Sequence, residues 1–296
     1  MKGSLRLNAI RRRRFARLVG GLAVLAAVLA LAQTAVAHRP GTFFTPEYEI
    51  IDLSPALEKA ALDETDYELL FLQTGLGRSA VDRLLSAGEV GKAIMFEIQE
   101  QFFTPGQVDC TSMLGLFTRE DRRKDSNGQP VCAPYLVDWR PGDILVTLST
   151  HSFGWRHGHA ALVVETAEGL STLECAVLGE DSRFLDAGYW RFYSSYAVLR
   201  VKGKSDEARA ACAQYAANHL VGIPYHLTAG LIGNKFQNAD SRWFGLQCAY
   251  LPWYAWKTMG VDLDSDGGRL VSVNDLLHSD QVEIVQLFGM DPREWV

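Results

Sequence analysis

Proline at position 252 limits how its surroundings can fold. The apolar and aromatic pattern of Leu246-Gln247-Cys248-Ala249-Tyr250-Leu251-Pro252-Trp253-Tyr254 predicts a helix running to Met259. A proline cannot donate the hydrogen bond that would close on the Cys248 carbonyl, so it is tolerated only in a helix's first turn. Cys248 is thereby placed at a helix N-terminus. The free N–H groups and positive dipole end there favour a thiolate over a thiol. A thiolate beside a histidine is a nucleophile. Upstream, Gly158-His159-Ala160-Ala161-Leu162-Val163-Val164 puts a histidine at the head of an apolar strand. His157 lies two residues earlier and on an extended strand would share its face, so either histidine could serve as the base.

The first 37 residues read as a signal peptide. Lys2, Arg6, Arg11 to Arg14 and Arg17 form a basic region, Leu18 to Ala32 an apolar run, and Ala35-Val36-Ala37 a cleavage site that leaves His38 as the mature start. The arginine run also resembles a twin-arginine signal. Either route predicts an exported protein, periplasmic or extracellular, with no stable membrane span once the signal is cleaved. The remainder carries 22 Lys and Arg against 35 Asp and Glu, a net charge of −13. That excess of acid excludes nucleic acid as a main partner.

Five cysteines follow the signal, so at least one is unpaired. Cys110 and Cys132 flank a polar loop and are the expected disulfide in an oxidising compartment. Cys248 is expected to be free. No cofactor and no metal is expected. A His151, His157 and His159 cluster has no accompanying metal-site spacing. Asp262-x-Asp264-x-Asp266-Gly267 resembles the start of a calcium loop, but its twelfth position is Val273 in place of the bidentate glutamate, and it reads as a solvated acidic turn.

Four segments follow from the patterning: residues 1–37 as signal, 38–105 as a helical pre-domain, 106–137 as a loop-rich linker holding the disulfide, and 138–296 as the catalytic domain. In the pre-domain, Ser54-Pro55 and the Thr65-x-x-Glu68 capping box predict helix starts, and Gly75 and Gly77 a stop. From Asp138 onward, strands are expected at 144–148, 159–165, 171–176, 196–202 and 281–288. A helix capped by Ser205 is expected between the last two strands. The fold class is α+β.

Several short motifs occur in one order: Pro141-Gly142-Asp143-Ile144-Leu145, His159-Ala160-Ala161-Leu162-Val163, Leu173-Glu174-Cys175-Ala176, Gly222-Ile223-Pro224-Tyr225, Gln247-Cys248-Ala249-Tyr250-Leu251 and Ser272-Val273-Asn274-Asp275-Leu276. In this order the chain resembles the circularly permuted papain-fold hydrolases of the YiiX-like type, relatives of the NlpC-type cell-wall peptidases and of lecithin retinol acyltransferase. The resemblance spans about residues 138–290. It implies an antiparallel sheet, a helix with the cysteine at its N-terminus, Cys248 as nucleophile, His159 rather than His157 as base, and Glu174 as the carboxylate orienting it. Tyr250, Tyr225 and His157 are expected to line the substrate site. Ala249 and Tyr250 depart from the serine and acidic or small polar residue more usual after the cysteine. The implied activity is cleavage of an amide in a cell-envelope peptide or acyl amide. A lipid acyl hydrolase or acyltransferase on the same residues, or a binding module with an inert thiol, are the alternatives.

Overall fold

The computed structural model describes residues 2–37, 43–114, 118–152, 155–232, 234–238 and 244–296. The basic and apolar N-terminal run forms one helix, α1 (Lys2–Ala37), whose stretch Arg14–Leu31 is wholly exposed. It is compatible with a signal sequence. His38, the expected mature start, lies outside the described residues.

Four helices follow: α2 (Ser54–Leu57), α3 (Glu64–Thr74), α4 (Arg78–Leu85) and α5 (Glu89–Phe103). Ser54 is the first residue of its single turn instead of the cap. The capping box of α3 is made by Asp63 and Asp66, each carboxylate accepting the other's backbone N–H at 3.0 Å. A carboxylate at this position gains from the helix dipole as well as the hydrogen bond, which the expected Thr65 would not. Gly75 ends α3 with φ +71°.

Residues 106–137 hold two strands where a loop was expected. β1 (Gln107–Leu114) and β2 (Thr118–Lys124) pair antiparallel. β2 reads Thr-Arg-Glu-Asp-Arg-Arg-Lys, which looks like a solvated turn, yet Glu120 and Asp121 are buried. Their charges are met by Arg122 next door and by residues from distant parts of the chain. Arg122, Tyr189 and Tyr193 donate to Glu120. His151 and Arg156 lie at 3.1 and 2.6 Å from Asp121. β3 (Ile144–Thr147) and β4 (Thr150–Ser152) follow closely but belong to different sheets, β4 completing the small sheet in the order β1-β2-β4. The expected disulfide is absent, and Cys110 and Cys132 are both free. Cys110 lies opposite Asp121 on one side of β2, whereas Val131, beside Cys132, donates to the Arg123 carbonyl on the other. With β2 between them at about 4.8 Å per strand step, the two chains are too far apart for an S–S bond.

The main sheet adds β5 (His159–Thr166), β6 (Gly169–Glu174), β7 (Arg183–Leu185), β8 (Tyr196–Val201) and β9 (Val282–Phe288), all antiparallel, in the order β7-β6-β5-β3-β8-β9. One face, including Ile144, Val146, Ala160, Leu162 and Leu199, packs against α6 (Asp206–His219), α7 (Tyr250–Thr258) and α8 (Val273–Leu277). The other, including Leu145, Ala161, Val163, Val198 and Phe288, packs against Leu53, Leu70, Leu76, Val81, Met95 and Phe102. The fold is α+β, and the helices read as a pre-domain are the third layer of the same structure.

That layer is held by backbone contact as well as side chains. Leu287 N–H donates to the Gly75 carbonyl at 2.7 Å, and Gly77 N–H to the Val285 carbonyl at 2.9 Å. A Cβ on Gly75 would lie 2.0 Å from the Leu287 oxygen, and one on Gly77 1.9 Å from that of Ile284, so only glycine allows the approach. Deleting residues 43–105 would uncover an entire apolar sheet face. The expected result is an aggregated chain, measured as loss of the soluble fraction. A soluble remainder with a cooperative melt would show that this layer is dispensable.

Candidate active site

The turn leading into α7 carries the thiol. Ala249 is the N-cap, Tyr250 the first helical residue and Pro252 the third, so the helix starts where the proline requires. Cys248 is half-buried just ahead of it. Gln247 braces this turn from inside. Its Nε2 donates to the Val271 carbonyl at 2.6 Å, while its Oε1 accepts from the Ala249 N–H at 3.1 Å and from Cys248 Sγ at 3.5 Å.

His159 opens β5, directly after Gly158 with φ +71°. A Cβ on Gly158 would lie 2.6 Å from the Thr147 carbonyl oxygen, so this turn needs glycine. Successive pairs in the β5–β6 hairpin run Val163↔Thr172 and Leu162↔Leu173. One further step sets Glu174 across from Ala161, on the same face as His159 and one same-face position along. His159 Nε2 lies 2.6 Å from Glu174 Oε2. Cys248 is near enough for its thiol to help raise the His159 pKa, and Nδ1 is the ring nitrogen left to face it. The structure thus brings the three residues named from sequence together, with His159 paired to Glu174 and Cys248 close by.

Both partners of the sulfur chain are buried, and their titration reflects it. Burial works against charge on His159, but the bonds to Cys248 and Glu174 outweigh it and raise its pKa to about 10. Burial likewise opposes charge on Glu174, yet hydrogen bonds from His159, Thr172 and Trp190 hold its carboxyl below the usual range. Thr172 Oγ1 and Trp190 Nε1 donate to its Oε1 at 2.6 and 2.9 Å.

Trp190 is the site residue that sequence reasoning missed. It lies in a 3-10 turn, Ala187–Phe192, between β7 and β8. Besides its bond to Glu174, it stacks on the His159 ring with centroids 5.6 Å apart and planes 18° apart. It is fully buried. Tyr189-Trp190 was visible as an aromatic pair, but no spacing tied it to His159.

His157 does not compete as the base. Its Nε2 pairs with Ser152 Oγ at 2.9 Å and its Nδ1 with the Gly158 carbonyl at 2.7 Å. The left-handed turn at Gly158 breaks the strand alternation that would have put both histidines on one face. Burial holds the His157 pKa below its ordinary value, the Gly158 carbonyl opposing. His151 pairs with Asp121, so the three histidines do not converge.

Tyr225 is set near the Cys248 turn. Burial, with Cys248 and Cys175 nearby, pushes its phenol pKa up. A parallel bridge from Tyr225 to Leu246 sets its segment against the Cys248 turn. Tyr250 is a correction: it is fully buried, its hydroxyl donates to the Lys235 carbonyl at 2.6 Å, and its ring packs on Trp253 and Tyr254. It is a core residue and lines no substrate site. A surface groove of about 580 Å³ between α3, β9 and the C-terminus takes in none of the site residues.

The fold and site together define an α+β protein with Cys248, His159 and Glu174 grouped where β5 begins and β6 ends in an antiparallel sheet. No protein-family model matches the chain, and no curated protein matches it. Among solved structures it is similar to the metalloprotein yiiX from Escherichia coli O157:H7, with 17% sequence identity and a TM-score of 0.39, over 49% of this chain and 96% of that one. A likeness this weak carries no argument about the site.

Proposed function

We infer that this chain is an exported thiol hydrolase that cleaves an amide bond through an acyl-enzyme, on a permuted papain-like arrangement in which the histidine strand precedes the cysteine helix. The observation that carries this reading is one buried imidazole paired with Glu174 at 2.6 Å and close enough to Cys248 to be influenced by its thiol. A protonated imidazole beside sulfur is the arrangement that favours a thiolate.

In the reaction, Cys248 Sγ attacks the carbonyl carbon while His159 Nδ1 holds the thiol proton. The Cys248 backbone N–H faces the developing oxyanion; that of Ala249 is already committed to Gln247 Oε1. Collapse breaks the C–N bond as His159 passes the proton to the leaving nitrogen, leaving a thioester. Water, deprotonated by His159, then attacks that thioester and releases the carboxylic acid and the free thiol. Glu174 fixes the tautomer throughout, and Tyr225 borders the acyl side of the sulfur.

Aromatic residues after Cys248 would suit an apolar acyl channel. Tyr250, Leu251, Trp253, Tyr254 and Trp256 are all buried in the core between α7 and the sheet. That argument for a lipid substrate falls away, and an envelope peptide is the favoured class.

The test is iodoacetamide labelling of Cys248, read by peptide mass spectrometry at pH 6, with turnover of an activated ester measured alongside. The expected result is labelling about tenfold or more faster in the wild type than in His159→Ala, and turnover abolished by Cys248→Ala. Equal labelling in both proteins, with no turnover, would leave a binding module with an inert thiol.

A further inference from the structure

The turn between α7 and α8 holds a second group of charged residues. It reads Asp262-Leu263-Asp264-Ser265-Asp266-Gly267, carboxylates at alternate positions followed by a glycine with φ +67°. Loops that bind hard cations use this spacing, with glycine at the sixth position for a sharp turn, and end on a bidentate carboxylate at the twelfth. The twelfth position here is Val273, but the fold supplies a carboxylate from another place. Asp275, in the first turn of α8, brings an oxygen within 4.8 Å of oxygens on Asp264 and Asp266. Asp262 stands apart, its carboxylate taken by Trp253 Nε1 at 2.7 Å and by Lys257 at 2.5 Å.

Acidic turns are common, and Asp264 is what sets this one apart. Its side chain is only 3% exposed. Oδ2 takes the Lys235 ammonium, which also reaches the Gly268 carbonyl. Oδ1 is sealed from solvent and accepts no hydrogen bond from any described residue. A buried carboxylate oxygen without a donor is costly, and such orphans in folded proteins call for an explanation. Asp266 and Asp275 are oriented by their own bonds. Asp266 Oδ1 accepts from Gly268 N–H at 2.6 Å, and Asp275 accepts from Ser272 N–H and Oγ, both at 2.7 Å, and from Ser265 Oγ at 3.2 Å. Carboxylate oxygens have further lone pairs to offer beyond these. Three carboxylates and one ammonium leave a net charge of −2.

We propose that Asp264, Asp266 and Asp275 bind a divalent hard cation, calcium, with Asp264 Oδ1 as the buried ligand. A donor set made only of oxygen selects against zinc and copper. An irregular carboxylate group completed by water suits calcium better than magnesium, which demands a near-ideal octahedron. The loop is also tied to the candidate active site through the Gln247 bond to the Val271 carbonyl. Cation binding would stiffen the segment bracing Cys248, though the site stands independently of any activity there.

The experiment uses the full chain, treated with EDTA, exchanged into chelator-free buffer and titrated calorimetrically with CaCl2 and separately with MgCl2. The expected result is one calcium site half-saturated at about 0.1–1 mM, the range of extracellular calcium modules, with a rise in melting temperature. Asp264→Asn would strip Lys235 of its partner and risks misfolding, so Asp266→Asn, on an exposed residue, carries the test. It is expected to weaken calcium at least tenfold, while Asp262→Asn leaves affinity unchanged. Absence of heat and of a melting shift at about 10 mM calcium, ten times the upper end of that range, in protein shown folded by circular dichroism would overturn the proposal. So would binding that Asp266→Asn leaves intact, or magnesium binding as tightly as calcium.

Discussion

Glu174→Gln is expected to leave the protein folded and its thiol chemistry nearly silent. Glutamine matches glutamate in size and can still accept from Thr172 and Trp190 through Oε1. Its amide NH2, however, would face His159 Nε2 where a carboxylate oxygen now stands at 2.6 Å. A donor there forces the ring proton onto Nδ1 in the neutral imidazole, and the side facing Cys248 can no longer accept one. Losing a positioned general base costs about 10²–10⁴ in rate, and labelling and turnover should fall together by that order. Glu174→Ala adds a stability defect. It leaves His159 Nε2 and Trp190 Nε1 without their buried acceptor, while Thr172 keeps the Leu185 carbonyl, and breaking a buried ion pair from one side costs about 3–5 kcal/mol. Denaturant melts of the two variants separate the effects; equal turnover in wild type and Glu174→Gln would remove Glu174 from the mechanism.

The same pair sets a pH signature. His159 has a folded pKa of about 10 against an ordinary 6.5, so its contribution to stability is fully present below 6.5 and is lost as pH rises toward 10. Glu174, held below its ordinary 4.5, contributes above that value and loses its contribution as pH falls. The pair therefore stabilises the fold most between those two ordinary values. In Glu174→Gln, His159 loses one of its two supporting partners, and the alkaline decline should become shallower.

Arg200→Met is expected to cause the second large effect, on stability alone. Arg200 lies in β8 with its side chain 4% exposed. Its Nε and NH2 donate to the two oxygens of Asp143 at 3.0 and 2.6 Å, and its NH1 donates to Asp138 Oδ2 at 2.9 Å. Asp143 is the acid of Pro141-Gly142-Asp143, and burial raises its pKa even with Arg200 against it. Removing the guanidinium leaves the buried Asp143 carboxylate without its ion-pair partner, while Asp138 keeps Arg140, at a cost of about 3–5 kcal/mol. For a chain of this size that lowers Tm by roughly 10 °C. Adding Asp143→Asn to the same protein should recover part of the loss, because the stranded charge is gone. A melt unchanged by Arg200→Met would show that this network contributes nothing net.

What could be read from the sequence had a local cause. Proline 252 placed the start of α7, the apolar run after His159 gave β5, and Ser205 caps α6 through the Ala208 N–H as expected. Those local signals placed Cys248 and His159, while the choice of His159 over His157 and the naming of Glu174 came from the family resemblance. The misreadings share a different cause, in that each depended on what lay opposite. β2 looked like a loop because most partners of its buried acids come from about 30 to 70 residues away. Cys110 and Cys132 looked pairable because nothing in their spacing says that β2 runs between them. Tyr250 was placed at a substrate site because sequence does not show which way the first turn of α7 faces. Trp190 was invisible for the same reason, its role fixed only when the sheet brings it over His159.

The docking of Gly75 and Gly77 on β9 bears on when the molecule can acquire its structure. Leu76 bridges Gln286, some 210 positions later, so a helix made early in synthesis is anchored to a strand made near the end. Contacts of such separation are slow to form because a long loop must close before they return any stabilisation. Until β9 has been made, the helical layer has no edge to dock on, and β8 lacks its outer neighbour. A nascent chain short of residue 282 therefore lacks the strand on which the turn between α3 and α4 docks.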